Sequence, residues 1–376
     1  MKKTIVFLTG TRADFGKIKS LIAATQAIEQ YDVHIFVTGM HLNAKYGRTI
    51  DEIYKSGFKN IYPFINHDHT DFMDRNVSKT IDGFSHYIAE LKPDLIVVHG
   101  DRGEALAGAI VGTLNNILVA HIEGGEKSGT VDDIIRHAVT KMSHIHLVAN
   151  EEAQLRLMQL GELEETVFVI GSPDIDIMMS GTLPTINEVK LYYDIPFEQY
   201  AILMLHPVTT ELENWETYVT EVMNAIRESE KNYVVVYPNN DLGSDIILKQ
   251  YDKLKALSNF KVYPSTRFEY FLVLLKNADF IIGNSSAGIR EAPYYGVPAI
   301  NIGTRQQSRT TGEGIYHVGY KKGDVLSQIN NVHGKEKSVE TTVFGDGNST
   351  ERFIEMLEKG ELWHVNKQKQ FQDRVF

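Results

Sequence analysis

At 376 residues the chain is too long for one ordinary domain, and 38 Lys and Arg against 49 Asp and Glu leave a net charge of −11. An acidic chain is a poor nonspecific ligand for nucleic acid or an anionic membrane, so neither is expected as a partner, and any phosphate must be held by a few placed cations and backbone amides. Cysteine is absent, which excludes disulfides, thiolate metal sites and thiol catalysis and fits a reducing cytoplasm.

The first apolar run, TIVFLTG at 4–10, follows two lysines. It is too short for the apolar region of a secretion signal and leads into Gly-Thr-Arg-Ala-Asp, not a small-residue cleavage site, so it predicts a β-strand. No stretch approaches the roughly 20 apolar residues of a membrane span. Behind this strand, residues 10–17 set Gly10 and Gly16 around a turn that holds Arg12, with Lys17 opening helix 17–28. Glycine lets a backbone approach an anion, and a helix start favours one, so this is a phosphate candidate. A solvated turn is the alternative, and the spacing is neither a dinucleotide fingerprint nor a P-loop. VHIFVTG at 33–39 is the second strand. His67-Asp68-His69 lies in a polar loop with no third ligand at metal spacing, so no metal is expected.

Helix 82–91 precedes the strand DLIVVHG at 94–100, which runs into Asp101 and Arg102 before helix 104–114. ILVAHIEGG at 117–125 carries Glu123 just past a strand end, and a further helix opens near Asp132 and Asp133. Ligands of open α/β sheets gather at the carboxyl ends of strands. Asp101, Glu123 and Asp132 are therefore expected on one rim. Acids beside a phosphate site repel the substrate unless they move protons, which makes them acid/base candidates. Asp132 and Asp133 serve equally well as favourable charge at a helix start. HLVAN at 146–150 and VFVIG at 167–171 are further strands, with helix 151–160 between them. His144 and His146 read as half-buried packing, and acidic residues 162–165 as a solvated loop.

The domain break is expected near Gly171-Ser172-Pro173 or in the polar stretch 180–188. This places a first domain at 1–171, a second at 172–350 and a tail at 351–376 that packs back on the first. In the second half, YAILMLHPV at 200–208 ends on His206 and YVVVYPN at 233–239 on Asn239, with helix 215–229 between them and FKVYPS at 260–265 next. The aromatic residues 268–271 read as the core face of helix 269–276. ADFIIGNSS at 278–286 ends on Ser285 and Ser286, where capping of a helix and cradling of a diphosphate are compatible roles. PAINIG at 298–303 leads to Thr304, Arg305, Gln306 and Gln307, and Arg305 is either a phosphate or ribose grip or a surface side chain.

Apolar strands alternating with helices, in two sets, predict an α/β protein of two doubly wound Rossmann-like domains. A nucleotide diphosphate, several carboxylates, no dinucleotide fingerprint and no metal motif leave glycosyl transfer or elimination of the diphosphate. Several carboxylates suit elimination and then hydration, which needs more than one proton transfer.

In this order and spacing, TGTRADFGK, VVHGDR, AHIEGGE with SGTVDD and IRH, HPVTT, YPNND, GNSSAGIREAP and NIGTRQ closely resemble the hydrolysing UDP-N-acetylglucosamine 2-epimerases of bacterial sialic acid synthesis. The resemblance covers nearly the whole chain. It implies a GT-B-like fold with the active site in the interdomain cleft, UDP mainly on the second domain, no cofactor, and a cytoplasmic homodimer. It implies anti-elimination of UDP from UDP-N-acetylglucosamine to give 2-acetamidoglucal, then hydration to N-acetylmannosamine. Arg12, Gly16, Lys17, Arg102, His206, Asn239, Ser285, Ser286, Glu291 and Arg305 match positions at the UDP, and Asp101, Glu123 and Asp132 match the acid/base carboxylates. His206 is also counted as catalytic. Glu291 would accept two ribose hydroxyls. Gly16 stands where some relatives have Ser, so contact there is expected through backbone. UDP-N,N'-diacetylbacillosamine 2-epimerases share nearly all these motifs. Segments 38–46 and 67–75 are expected to shape the sugar pocket, and the resemblance through 286–305 and the tail favours UDP-N-acetylglucosamine. A GT-B glycosyltransferase is the remaining alternative.

Overall fold

The computed structural model describes residues 2–67, 72–306, 309, 312–335, 337 and 343–373; Asp68, His69 and Gln307 lie outside the described residues. The chain forms two compact units, one of Met1–Glu126, Asp132–Gly181 and Val343–Phe376, the other of Lys127–Val131 and Thr182–Thr342.

The first unit is built on seven strands: β1 (Lys3–Thr9), β2 (Tyr31–Val37), β3 (Ile61–Pro63), β4 (Leu95–His99), β5 (Leu118–Ile122), β6 (Ile145–Val148) and β7 (Val167–Val169). Their order is β3-β2-β1-β4-β5-β6-β7, and every pairing is parallel. Strands β4, β5 and β6 are buried along their whole length, as a sheet covered by helices on both faces requires. The order reverses between β1 and β4, so the carboxyl ends of β1, β4 and β5 are where a ligand crevice belongs.

This unit runs on past Gly171 through helix Pro173–Met179 to Gly181, and the chain returns to it at Val343. Helix Ser349–Lys359 then sets Phe353 edge-on against Phe7 of β1, with ring centroids 6.3 Å apart. Asp176 receives the Ser349 and Thr350 N–H groups at 2.9 and 2.7 Å and so caps that helix.

Of residues 162–165, expected as a solvated loop, 163–165 are exposed and Glu162 departs from the expectation. Glu162 is buried, taking a hydrogen bond from His146 at 2.9 Å and ion pairs from Lys141 at 2.8 Å and from Lys369. Burial alone would raise its pKa, but His146 and the two lysines outweigh burial and bring the carboxyl down to about 2. His144 and His146 are fully buried, not half-buried, because tail residues 367–369 lie over them; the Lys367 carbonyl sits 3.0 Å from His144 Nε2.

The second unit carries β8 (Ala201–Met204), β9 (Tyr233–Val236), β10 (Phe260–Tyr263), β11 (Ile281–Gly283), β12 (Ala299–Ile302) and β13 (Ile315–Val318), in the order β10-β9-β8-β11-β12-β13, again all parallel. Helix Trp215–Glu228 buries Trp215, Val219, Val222, Met223 and Ile226, a stripe at helical spacing. Phe268 and Phe271 are core residues of helix Phe268–Lys276. Residues 127–131 join this unit, where Arg309 donates to the Lys127 carbonyl at 2.6 Å and to Ser128 Oγ at 3.0 Å. Both units are Rossmann-like and doubly wound, the pair of folds found in GT-B-like proteins. Among the described residues no helix is long and apolar enough to cross a membrane.

Candidate active site

Two acids of the first unit are linked through shared cations to Glu123, the residue immediately after β5: Asp101 through Arg136 and Asp174 through Lys17. The Glu123 backbone is left-handed, with φ +65. A residue with a Cβ adopts that conformation at a cost of about 1 kcal/mol or more, so its surroundings must hold it there. They do so from two sides. The Glu123 N–H donates to the Leu147 carbonyl at 3.0 Å, and its own carbonyl accepts from Arg136 Nη1. The effect is to turn the side chain into a buried pocket, where it is 7% exposed. There Oε1 lies 3.2 Å from Lys17 Nζ, 3.2 Å from the donating Ser172 Oγ and 3.3 Å from His99 Nε2. Lys17 also pairs with buried Asp174 at 3.4 Å.

Arg136 joins two of the expected acids. It comes from the inner face of helix Val131–Met142, is 1% exposed, and donates Nη1 to the Glu123 carbonyl and Nη2 to the Asp101 carboxylate. His121, below the rim on β5, sits between the Gly100 carbonyl at 2.8 Å and Thr140 Oγ1 at 3.2 Å, and burial lowers its pKa to about 3, so it is a neutral strut. Asp132 and Asp133 occupy the first turn of helix Val131–Met142, with Asp133 3.6 Å from His137 one turn on.

The turn at 10–17 differs from a bare anion cradle. Its helix begins at Arg12, so Gly16 lies inside it, past the N–H groups that a helix start leaves unpaired. Asp14 fills the turn itself: its carboxylate accepts the Gly10 and Thr11 N–H groups at 2.9 and 3.2 Å and a bond from Thr9, in a capping box with Thr11. Burial raises the Asp14 pKa; His99 and the hydrogen bonds from Thr9 and Gly10 oppose that shift. Arg12 pairs with Glu52, and Arg102 approaches Glu104 at 3.4 Å. Lys17, expected near phosphate, has Glu123 and Asp174 as partners within this unit.

In the second unit, buried Asn284 organises the strand ends. Its carboxamide accepts the His206 N–H at 2.6 Å and donates to the His206 carbonyl at 2.9 Å, which locks the end of β11 to that of β8. Its backbone carbonyl accepts from Arg305 Nη1 at 3.2 Å and Gln306 Nε2 at 3.1 Å, which adds the end of β12. Asn239, after β9, donates its N–H to His206 Nδ1 at 3.0 Å. A backbone N–H can only donate, so Nδ1 is the unprotonated ring nitrogen and Nε2 carries the hydrogen. Neutral His206 therefore presents a hydrogen-bond donor, not a base. Ser285 caps the short turn Ser286–Gly288 by accepting the Ala287 N–H at 3.3 Å, and Glu291 follows, buried, at the start of helix Glu291–Tyr294. Thr304 Oγ1 donates to Glu211 at 2.5 Å and Tyr320 to the same carboxylate at 2.6 Å, bracing the loop that carries Arg305.

Gly283 is required for a reason other than ligand approach. Its φ is +137, and a Cβ there would stand 1.9 Å from the Met204 carbonyl oxygen. Gly283→Ala is expected to cost at least about 3 kcal/mol, from overpacking and backbone strain together, as Asn284 is pushed off β8. Chemical denaturation checks this.

Arg136, His99, Ser172, Asp174, Asp14, Asn284 and Glu211 are missing from the expected set. Arg136 alone carries a readable signal, a lone charge between Ile135 and Val139 on the apolar face of its helix. The arrangement offers a buried carboxylate cluster suited to proton transfer in one unit, and in the other a frame of oriented donors suited to a diphosphate.

Among known proteins, a family model described as UDP-N-acetylglucosamine 2-epimerase matches residues 23–358. A UDP-N-acetylglucosamine 2-epimerase of Neisseria meningitidis serogroup B is 48% identical over 99% of this chain and 99% of its own length. A hydrolysing UDP-N,N'-diacetylbacillosamine 2-epimerase of Legionella pneumophila is 33% identical over 95% of this chain and 96% of its own. The crystal structure of the Methanocaldococcus jannaschii UDP-GlcNAc 2-epimerase, in complex with UDP-GlcNAc and UDP, superposes with a TM-score of 0.80 at 25% identity, covering 96% of this chain and all of that one.

Proposed function

The chain belongs to the UDP-N-acetylglucosamine 2-epimerase family, and from that premise we propose that it converts UDP-N-acetylglucosamine to N-acetylmannosamine and UDP. The observation that carries the chemistry is Glu123, turned by a left-handed backbone into a pocket with Lys17, His99 and Ser172. In the first step a proton leaves C2 of the sugar as the C1–O bond to UDP breaks, giving 2-acetamidoglucal and UDP. In the second, water adds its oxygen at C1 and a proton returns to C2 on the other face, giving N-acetylmannosamine. Asp101, Glu123 and Asp132 are assigned to these transfers; Asp132 is preferred to Asp133, which has His137 as a surface neighbour.

The UDP is assigned to the Asn284 frame. Arg305 and the Nε2–H of His206 stabilise the diphosphate as it departs, Ser285, Ser286 and Asn239 bind around it, and Glu291 takes the ribose hydroxyls. Arg12 and Arg102 are the first-unit cations assigned to the phosphates, with Lys17 balancing Glu123. Arg305→Ala is expected to weaken UDP binding by about 1.5–3 kcal/mol, the range of a charge-assisted contact, measured by calorimetry. Unchanged affinity would remove Arg305 from the phosphate site.

The neisserial relative, at 48% identity, supports UDP-N-acetylglucosamine over the diacetylbacillosamine sugar of the 33% relative. Each UDP-sugar is incubated alone with the enzyme and followed by proton NMR. N-Acetylmannosamine and UDP are expected from the first. Faster turnover of the second would reassign the substrate, and no turnover of either without an acceptor would favour a glycosyltransferase.

A further inference from the structure

We infer that Asp174 is a positioning residue for the acid/base chemistry, anchoring the Lys17 ammonium so that it faces Glu123. This rests on the proposed role of Glu123. Asp174 lies at the second position of helix Pro173–Met179, whose start is set by Pro173 with its fixed φ. Its side chain is wholly buried, and Oδ2 is 3.4 Å from Lys17 Nζ while Glu123 Oε1 is 3.2 Å from the same nitrogen. The residue two before it, Ser172, donates its hydroxyl to Glu123 Oε1 at 3.2 Å. One short turn thus reaches Glu123 twice, directly by a hydroxyl and through Lys17 by a carboxylate.

Lysine has four rotatable bonds and a compact charge, so one contact does not fix it. A second carboxylate at 3.4 Å gives it a second fixed contact. The pair also sets the charge balance. Around Glu123 stand Lys17 from helix Arg12–Ala27, His99 from β4, Ser172 and Asp174 from the turn after β7, and Arg136 from helix Val131–Met142, which spends its charge on Asp101. One ammonium serves two buried acids. Removing the Asp174 charge would take away one of the two acids that share Lys17 and make Glu123 harder to protonate, since a nearby like charge disfavours the ionised form.

Asp174→Asn is compared with Lys17→Met, the double variant and Glu123→Gln. Asp174→Asn is expected to lower kcat about 10- to 100-fold, as a misplaced catalytic environment does, with KM within about threefold and the carboxylate limb of the kcat–pH profile moved to lower pH. In the Lys17→Met background it should cost less than about threefold more, because its effect passes through Lys17. Wild-type kcat in Asp174→Asn, or an equal further loss in the double variant, overturns the inference. Asp174→Ser, a smaller side chain, takes its place in both backgrounds if the Asn variant fails to fold by circular dichroism. An active Glu123→Gln would refute the proposed role of Glu123, whereas an inactive one beside an unimpaired Asp174→Asn refutes this inference alone.

Discussion

Replacing Glu123 with Gln is expected to lower kcat by roughly three to four powers of ten while UDP still binds within about threefold of its wild-type affinity. Gln keeps the length and shape of the side chain, so the left-handed backbone at φ +65 and its two supports, the Leu147 carbonyl and Arg136, are unaffected. The amide oxygen can still accept from Ser172. What is lost is the ability to take or give a proton, together with the charge that Lys17 balances at 3.2 Å. UDP affinity is the control, because the second-unit residues assigned to the nucleotide are organised by Asn284, not by Glu123. A variant that retains a tenth of the wild-type kcat would remove Glu123 from proton transfer.

Arg136→Gln is the second large effect, expected to cost about 3 kcal/mol of stability and roughly a hundredfold or more in kcat. A guanidinium presents two parallel donors, here divided between the Asp101 carboxylate and the Glu123 carbonyl. Gln cannot satisfy both, so the Asp101 carboxylate loses the Arg136 charge and the backbone of Glu123 loses one of the two contacts that hold it left-handed. Arg136→Lys separates the two contributions. It restores a charge but not the fork, so stability should recover further than kcat does. Urea denaturation and steady-state kinetics on the same preparations test this; full activity in the Lys variant would show that the fork has no part in catalysis.

Much of the architecture was legible because its signals are local. Runs such as DLIVVHG and YVVVYPN are apolar throughout, which is what a strand covered on both faces requires, and the polar residue after each run marks the rim. That logic set Asp101, Glu123 and Asp132 on one rim and His206, Asn239, Ser285 and Arg305 at the strand ends of the other unit. It could not show what each side chain holds. Arg136 and Asp174 reach Glu123 from helices whose facing depends on packing, and nothing near Lys17 in the chain indicates that its partners are 106 residues away and more. Gly283 is required by the Met204 carbonyl, which belongs to a neighbouring strand and so is invisible from the residues around it. Glu162 read as solvated because the tail that covers it comes last in the chain.

That tail has a consequence for how the protein is made. The first unit takes its last core residues, Phe353, Met356, Leu357 and Leu362, from the end of the chain. During synthesis, residues 182–342 leave the ribosome with their sheet complete while β1 still lacks the ring that packs against Phe7. The half of the molecule translated first therefore receives its last core residues last, and a message cut short after residue 342 yields a chain whose first unit lacks Phe353, Met356, Leu357 and Leu362.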